Sequence, residues 1–293
     1  MIKENKFLTE QQIEHFKTFG FLLLRGAFDS DDLNIINDEY EIGLKIKLEK
    51  DNKPRGARGQ LNWSNLGPET PYLAKLPEDP RIYGTAEQLL GDDAVALFST
   101  ANHFSGDRTP WHPDTADPNC RSAKFHLYLQ ALDENSGALR VIPGSHLSPF
   151  HDELHRIGLK GSNEGTQSNN SYLDKSGLGL NDIPAHVCKS EPGDVILFHG
   201  RLWHATWKGS KDRRVVGCTF QGNPRTTEEE KSVQKKLEGN RNIRIKNEPD
   251  DPQYHPHWLA NPEKSPKRQQ WINWLHEKGA IDLHDKAFFH KKT

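Results

Sequence analysis

The strongest constraint on the fold is a change in hydrophobic periodicity near residue 93. Before it, apolar residues recur every three or four positions, which is typical of amphipathic helices. After it, short β-prone runs alternate with turns that contain Gly, Pro, Asn or Asp. Many short strands at such spacing predict an antiparallel sandwich or barrel. The predicted strands span residues 94–104, 123–131, 138–142, 194–199, 202–206 and 213–221.

The regions on either side of these strands are predicted to be mainly helical. Capping residues and periodic apolar positions mark the starts and ends of the helices. A short buried strand is expected at 21–25, and a long loop at 51–78 because that stretch is rich in Gly, Pro, Asn and Arg. The predicted helices span residues 9–20, 30–50, 81–90, 226–237 and 269–276.

These elements predict one domain over residues 1–293, mainly β with flanking helices. We expect a helical N-terminal part at 1–92, a β core at 93–223 and a helical C-terminal extension at 224–293. A polar stretch at 147–183 is expected to be a surface insertion in the core, because it interrupts the strand pattern.

Composition narrows the class of protein. Lys and Arg number 39 against 41 Asp and Glu, a formal charge of -2, which argues against a nucleic-acid partner. Mean hydropathy is -0.84 and no run of 18 apolar residues occurs, so neither a membrane span nor a signal peptide is expected. The three cysteines are widely spaced and odd in number. A reducing cytoplasmic location is therefore predicted.

The first chemical motif is Trp111-His112-Pro113-Asp114. On an extended segment residues i and i+2 share a face, so His112 and Asp114 could meet one cation. A His-x-Asp triplet alone is weak, and the surrounding Pro and Asp residues also suit a plain turn. A later Trp203-His204-Ala205-Thr206 segment strengthens the case, because two His and one carboxylate are typical of non-haem Fe(II) oxygenases.

Five segments in this order and spacing resemble the phytanoyl-CoA dioxygenase family of Fe(II)/2-oxoglutarate oxygenases. The resemblance implies a double-stranded β-helix, a cupin-like jelly roll, with helices packed outside. It also implies Fe(II) as the metal, with 2-oxoglutarate and O2 as cosubstrates. The segments are FKTFGFLLLRGAF (16–28), WHPD (111–114), ENSGALRVIPGSH (134–146), EPGDVILFHGRLWHAT (191–206) and RRVVGCTF (213–220).

The resemblance assigns roles to individual residues, and it implies no catalytic residue beyond the metal centre. The implied iron ligands are His112, Asp114 and His204. The implied 2-oxoglutarate contacts are Arg213, which would pair with the distal carboxylate, Thr206 and Asn102.

Two alternatives stay open at this point. Arg214 replaces Arg213 if the strand register shifts by one residue. His199, in the segment FHGRLWH, competes with His204 as the second histidine ligand. Family halogenases have a small residue where this chain has Asp114, so oxygen insertion is expected here.

The substrate is expected to be small and polar, with an anionic group, such as a phosphorus oxyacid, a phosphonate or an amino-acid-like acid. Several arginines and a polar strand face suggest this class. An acyl-CoA thioester substrate, and a non-catalytic metal-binding sensor, are the alternatives. The candidate substrate residues are Arg55, Arg58, Gln60, Asn62, His126 and Tyr128, with Arg108 and Arg121 as further basic candidates.

Overall fold

The computed structural model describes residues 7–106, 109–159, 182–206, 212–247 and 253–281, and the side chains of 241–247 are not described. Most of the predicted insertion, residues 160–181, and the candidate Arg108 lie outside these ranges. None of the helices in the described ranges is long and apolar enough to cross a lipid bilayer.

Ten strands form two antiparallel sheets in the described part of the chain. The larger sheet has six strands in the order β1-β8-β5-β10-β3-β2, and the smaller has four in the order β4-β9-β6-β7. Strands distant in sequence pair with each other, as a jelly roll requires. The strands are β1 (Phe21–Leu24), β2 (Gly59–Ser64), β3 (Val95–Ser105), β4 (Thr109–His112), β5 (Ser122–Tyr128), β6 (Leu139–Val141), β7 (His186–Cys188), β8 (Val195–His199), β9 (His204–Thr206) and β10 (Arg213–Gln221).

Helices cover the outer faces of both sheets. Leu154 of α5 packs with Trp111 and Trp203 outside the four-stranded sheet, and residues of α2, α4 and α8 pack outside the larger sheet. The helices are α1 (Glu10–Phe19), α2 (Ser30–Lys50), α3 (Pro71–Lys75), α4 (Pro80–Leu90), α5 (Phe150–Arg156), α6 (Thr227–Asn247), α7 (Pro256–Ala260) and α8 (Pro266–Glu277).

The two faces of the larger sheet have different surroundings. Successive residues on a strand project to opposite faces. Val215 and Tyr128 pack with Leu139 of the smaller sheet, so their face is the interior of the jelly roll. Val216 and Leu127 belong to the apolar cluster under the helices. Because side chains alternate between the two faces, only every second residue of a strand can reach a site between the sheets.

The structure corrects the predicted layout in two places. The predicted loop at 51–78 contains the edge strand β2 and the short helix α3. The N-terminal part at 1–92 contains the strand predicted at 21–25, which is β1, and it also contributes the unpredicted β2 to the larger sheet. Strands β4 and β7 were not predicted. Both are short and extended only through pairing with neighbours that are distant in sequence.

Gly193, in the turn before β8, offers a test of the local packing. Its φ is +94°, and a Cβ there would collide with the Phe28 carbonyl oxygen, which is backbone and cannot rotate away. We expect Gly193→Ala to cost at least about 2 kcal/mol of unfolding free energy through strain and overlap. For a domain of this size that lowers the melting temperature by roughly 4–8 °C.

The matched control for that substitution is Gly239→Ala in α6, where an added Cβ meets nothing within 4 Å. Ala is the better helix former, so the melting temperature should stay constant or rise. Equal loss of stability in both variants, measured by thermal denaturation, would contradict the assigned turn geometry.

Candidate metal and cosubstrate site

Two histidines and one aspartate meet where β4 pairs with β9. His112, at the end of β4, is the register partner of His204, at the start of β9. Asp114 follows two residues later, and the ligand atoms of all three side chains lie within 4.8 Å of one another. Nε2 of His204 is 3.9 Å from Oδ1 of Asp114. This is the only group of three or more such side chains close enough to hold a metal within the described residues.

Both imidazoles are oriented by backbone carbonyls. Nδ1 of His112 lies 2.8 Å from the Pro110 carbonyl oxygen, and Nδ1 of His204 lies 2.8 Å from that of Leu202. A carbonyl can only accept, so each Nδ1 carries the proton and donates it. Each Nε2 is left with a lone pair, which is the form of imidazole that binds a metal.

The surroundings of the site favour the ligand forms of His204 and Asp114. Burial, together with the neighbouring His112, lowers the pKa of His204 to about 3, so the ring is neutral at physiological pH. Loss of solvent raises the pKa of Asp114, whereas the Lys124 ammonium lowers it, and the resulting pKa lies well below the usual range. Two neutral imidazoles and one carboxylate fit Fe(II).

The competing histidine, His199, lies elsewhere. Its Nδ1 accepts the Arg201 backbone N–H at 3.0 Å, and its ring packs against His146 and Phe16 near α1. The structure therefore groups His204, and not His199, with His112 and Asp114.

Arg213 lies in the interior of the jelly roll. Arg213 shares a strand face with Val215, and only 1% of the Arg213 surface is exposed. Its guanidinium stacks on the ring of Phe104, with Cζ 4.0 Å from the centroid, and Nη1 donates to the Gly137 carbonyl at 2.9 Å. These contacts hold a permanent positive charge on the face that also carries His126.

Arg214 projects to the opposite face, towards the helices. Its Nη1 donates to Oδ1 of Asn37 at 3.0 Å, and it lies 3.6 Å from the Glu41 carboxylate. Both partners belong to α2. Of the two arginines, Arg213 is the one that faces the space between the sheets.

A row of polar side chains crosses the interior face beside Arg213. Asn62, Asn102, Val215 and Tyr128 are register partners on four adjacent strands, so they share this face. Oδ1 of Asn102 accepts from Nδ2 of Asn62 at 2.8 Å and from Nε2 of Gln60 at 2.6 Å. The Nδ2 group of Asn102 is therefore the part that can donate to a bound molecule.

His126 lies in the next row of that face. It is the register partner of Gly217, where a Cβ would come within 3.3 Å of the ring, so glycine gives the imidazole room. Burial lowers the pKa of His126 well below its usual range, and the charges of Lys124, Asp114 and Arg213 also act on it. His126 is therefore within electrostatic range of both the metal ligands and the guanidinium.

Sequence and structure comparisons agree with this geometry. A family model described as phytanoyl-CoA dioxygenase (PhyH) matches residues 16–215, well over half of the chain. This chain is a member of the phytanoyl-CoA dioxygenase family. Both parts of the resemblance inferred from the sequence, the family and its jelly-roll fold, are thereby confirmed.

Relatives within and around the family are distant. Ectoine dioxygenase of Bordetella bronchiseptica is 26% identical over 160 residues, which is 49% of this chain and 52% of that protein. The chain thus spans about half the length of that curated relative.

Two solved structures share the fold of this phytanoyl-CoA dioxygenase family member. HygX from Streptomyces hygroscopicus, with nickel and 2-oxoglutarate bound, has a TM-score of 0.56 at 19% identity. The match covers 74% of this chain and 88% of the HygX chain. EctD from S. alaskensis, with 2-oxoglutarate and 5-hydroxyectoine, has a TM-score of 0.55 at 20% identity. The match covers 76% of this chain and 79% of the EctD chain. Both neighbours have also been crystallised with iron, the metal expected from the sequence.

Thr206 is the second candidate contact of the cosubstrate carboxylate. Thr206 follows His204 on the same face of β9, is buried, and its hydroxyl oxygen accepts the Thr109 N–H at 3.2 Å. Its hydroxyl proton is therefore the part that can be donated.

The arginine candidate Arg58 is exposed and precedes β2.

Arg55 and Arg121, by contrast, are engaged in structural contacts. Arg55 pairs with Glu41 of α2 at 2.5 Å and with Asp212 at 3.4 Å, at the helix side of the sheet. Arg121 donates to the carbonyl oxygens of Asn223 and Leu90. The expectation that these arginines converge on a substrate is not met, because acidic and carbonyl partners elsewhere hold them.

Lys124 is the site residue that the sequence analysis missed. Its Nζ lies 3.0 and 3.1 Å from the two carboxylate oxygens of Asp114. The available signal was its spacing, since Lys124 shares one face of β5 with the candidates His126 and Tyr128.

Proposed function

We propose that this chain is an Fe(II)- and 2-oxoglutarate-dependent dioxygenase that hydroxylates a small polar substrate. The observation that carries the proposal is the grouping of His112, Asp114 and His204. The Nδ1 proton of each histidine is donated to a backbone carbonyl, so its Nε2 lone pair is available for a metal. Three ligands on one side of a metal leave positions for a chelating cosubstrate and for O2. When bound, the iron would supply the oxidising chemistry.

Arg213 is the proposed partner of the distal carboxylate of 2-oxoglutarate. Its buried guanidinium faces the interior, and a charge-assisted pair is strong where water is scarce. Thr206, on the face of His204, would donate its hydroxyl to the same carboxylate. Asn102 would donate through Nδ2, held in place by Gln60 and Asn62.

The overall reaction balances without any further reductant. One oxygen atom of O2 enters the substrate and converts a C–H bond into C–OH, and the other enters succinate as 2-oxoglutarate loses CO2. The chain's own contribution is to hold the reactants close together and to limit access of water to them.

The proposed substrate is small and polar, such as a phosphorus oxyacid or an amino-acid-like acid. The interior face of the described strands offers amide and imidazole groups, from Asn62, Asn102 and His126. This supports a compact polar ligand over an acyl-CoA chain. The relationship to ectoine dioxygenase points in the same direction.

Succinate release tests the proposed reaction. We expect Fe(II)-loaded protein with O2 to convert 2-oxoglutarate to succinate slowly alone, and faster when small organic acids from a screening panel are added. Asp114→Ala should remove the conversion. Metal binding without succinate, across the panel, would favour the sensor alternative and contradict the proposal.

A further inference from the structure

Lys124 is a charged side chain next to the candidate metal ligands whose role the proposed reaction leaves open. It lies on the interior face of β5, between its register partners Thr219 and Phe198. Its Nζ contacts both oxygens of Asp114, lies 5.9 Å from the centroid of the Phe198 ring, and the side chain is 29% exposed. The ammonium is therefore at the site and accessible to a ligand.

The site holds few charges. On the described strands, the interior faces carry two charged side chains, Arg213 and Lys124, and Asp114 just beyond β4 is the third charge. His112 and His204 each place a proton on Nδ1 and would bind a metal through Nε2, so they add no charge to the loaded site.

Among the described residues, the loaded site would carry one positive charge in excess. A metal dication, Arg213 and Lys124 carry four positive charges together, whereas 2-oxoglutarate and Asp114 carry three negative charges. Arg213 has the distal carboxylate as its proposed partner and Asp114 would hold the metal, so the charge in excess is that of the Lys124 ammonium. A positive charge in excess beside the metal attracts a reactant of opposite charge, so the remaining reactant is expected to supply the negative charge.

We propose that Lys124 binds an anionic group of the substrate beside the metal, so that the enzyme acts on small acids. The group would be a carboxylate, a phosphate or a phosphonate. This inference rests on the proposed function, since it takes the metal and 2-oxoglutarate as given. It moves substrate recognition from Arg55 and Arg121, which have other partners, to a cation at the reaction centre.

The chemistry of lysine fits this role. An ammonium group has three N–H donors, and Asp114 engages two directions through its two oxygens. Lysine is a compact charge on a flexible stem, so its head can turn towards an arriving anion. A metal dication at Asp114 repels the ammonium, so strengthening metal binding is a poor explanation for its presence.

Simple anions bound to the loaded protein test the proposal. The protein is held without O2, saturated with Mn(II) and 2-oxoglutarate, and its unfolding midpoint is followed while acetate or methylphosphonate is added. Acetamide is the neutral probe. Binding to the native state raises the midpoint. We expect both anions, and not acetamide, to stabilise the wild type, with acetate binding weakened about tenfold or more in Lys124→Met.

Two variants separate charge from structure. Lys124→Arg keeps the charge and should keep most of the response. Lys267→Met is the matched control, because Lys267 likewise pairs with a carboxylate, Glu87, beside an aromatic ring, Tyr83, and is 25% exposed. Its anion response should equal that of the wild type.

Several outcomes would overturn the inference. An equal anion response in Lys124→Met, or an equal response to acetamide in the wild type, would remove the role of charge. Loss of Mn(II) binding in Lys124→Met would make Lys124 a positioning residue for Asp114 instead. If the wild type binds Mn(II) and 2-oxoglutarate but neither anion, this inference is wrong and the proposed function stands. If the wild type binds neither Mn(II) nor 2-oxoglutarate, the proposed function is wrong as well.

Discussion

His204→Ala is expected to lose more than about 100-fold in Mn(II) affinity, because changes in residues that merely support metal ligands already cost about 10–100-fold. The Nε2 lone pair that it removes is one of three ligands, and no other side chain joins this group among the described residues. Succinate formation should fall to background. Equilibrium dialysis with Mn(II) measures the first effect, and chromatography of the product the second.

His199→Ala is the control for that result. It removes the histidine that competes with His204 in the sequence and that lies against Phe16 and His146. Its Mn(II) affinity should match the wild type, whatever its melting temperature. Retained metal binding in His204→Ala together with loss in His199→Ala would reverse the ligand assignment.

Arg213→Met should weaken 2-oxoglutarate binding roughly 30-fold or more, because removing one partner of a buried charge pair costs about 2–5 kcal/mol. Mn(II) affinity should be unchanged, since Arg213 is not a metal ligand. Arg213→Lys should not rescue binding, because an ammonium lacks the planar fork that matches a carboxylate. Calorimetric titration of 2-oxoglutarate into Mn(II)-loaded protein measures the effect.

Arg214→Met is the matched control for Arg213→Met. The two residues are adjacent, but Arg214 contacts Asn37 and Glu41 of α2 on the other face of the sheet. Its removal should lower stability slightly and leave 2-oxoglutarate affinity intact. The opposite pattern would mean that the register of β10 is shifted by one residue.

Local signals explain what could be predicted from the sequence. The predicted strand at 213–221 coincides with β10, because its apolar run is long and bounded by charged and polar residues. The first helix begins after Thr9, whose side chain accepts the Gln12 N–H in a capping box. Such signals lie within a few residues of the element that they define.

Features that depend on distant partners could not be predicted in this way. β2 lies within a polar stretch and is extended because it pairs with β3 at the edge of the larger sheet. The choice between Arg213 and Arg214 depends on strand parity, and the apolar pair Val215 and Val216 does not reveal which face is inside. Arg55 was predicted as a substrate residue because it is basic and lies in a polar loop, and the sequence does not show that Glu41 and Asp212 hold it.

The site was predicted better than its surroundings for the same reason. His112 and Asp114 are two residues apart, so their common placement follows from strand geometry once the segment is extended. Lys124 contacts Asp114 because the fold brings β5 next to the segment that follows β4. The spacing of Lys124 shows which face of β5 it shares with His126, but the sequence does not show its contact with Asp114.

The most direct test of the central claim is calorimetric titration of 2-oxoglutarate into the protein with and without Mn(II), in the absence of O2. If the metal held by His112, Asp114 and His204 chelates the cosubstrate, 2-oxoglutarate binds much more tightly to the loaded protein. Mn(II) affinity must then rise by the same factor when 2-oxoglutarate is present. Equal 2-oxoglutarate affinity with and without metal would contradict the account.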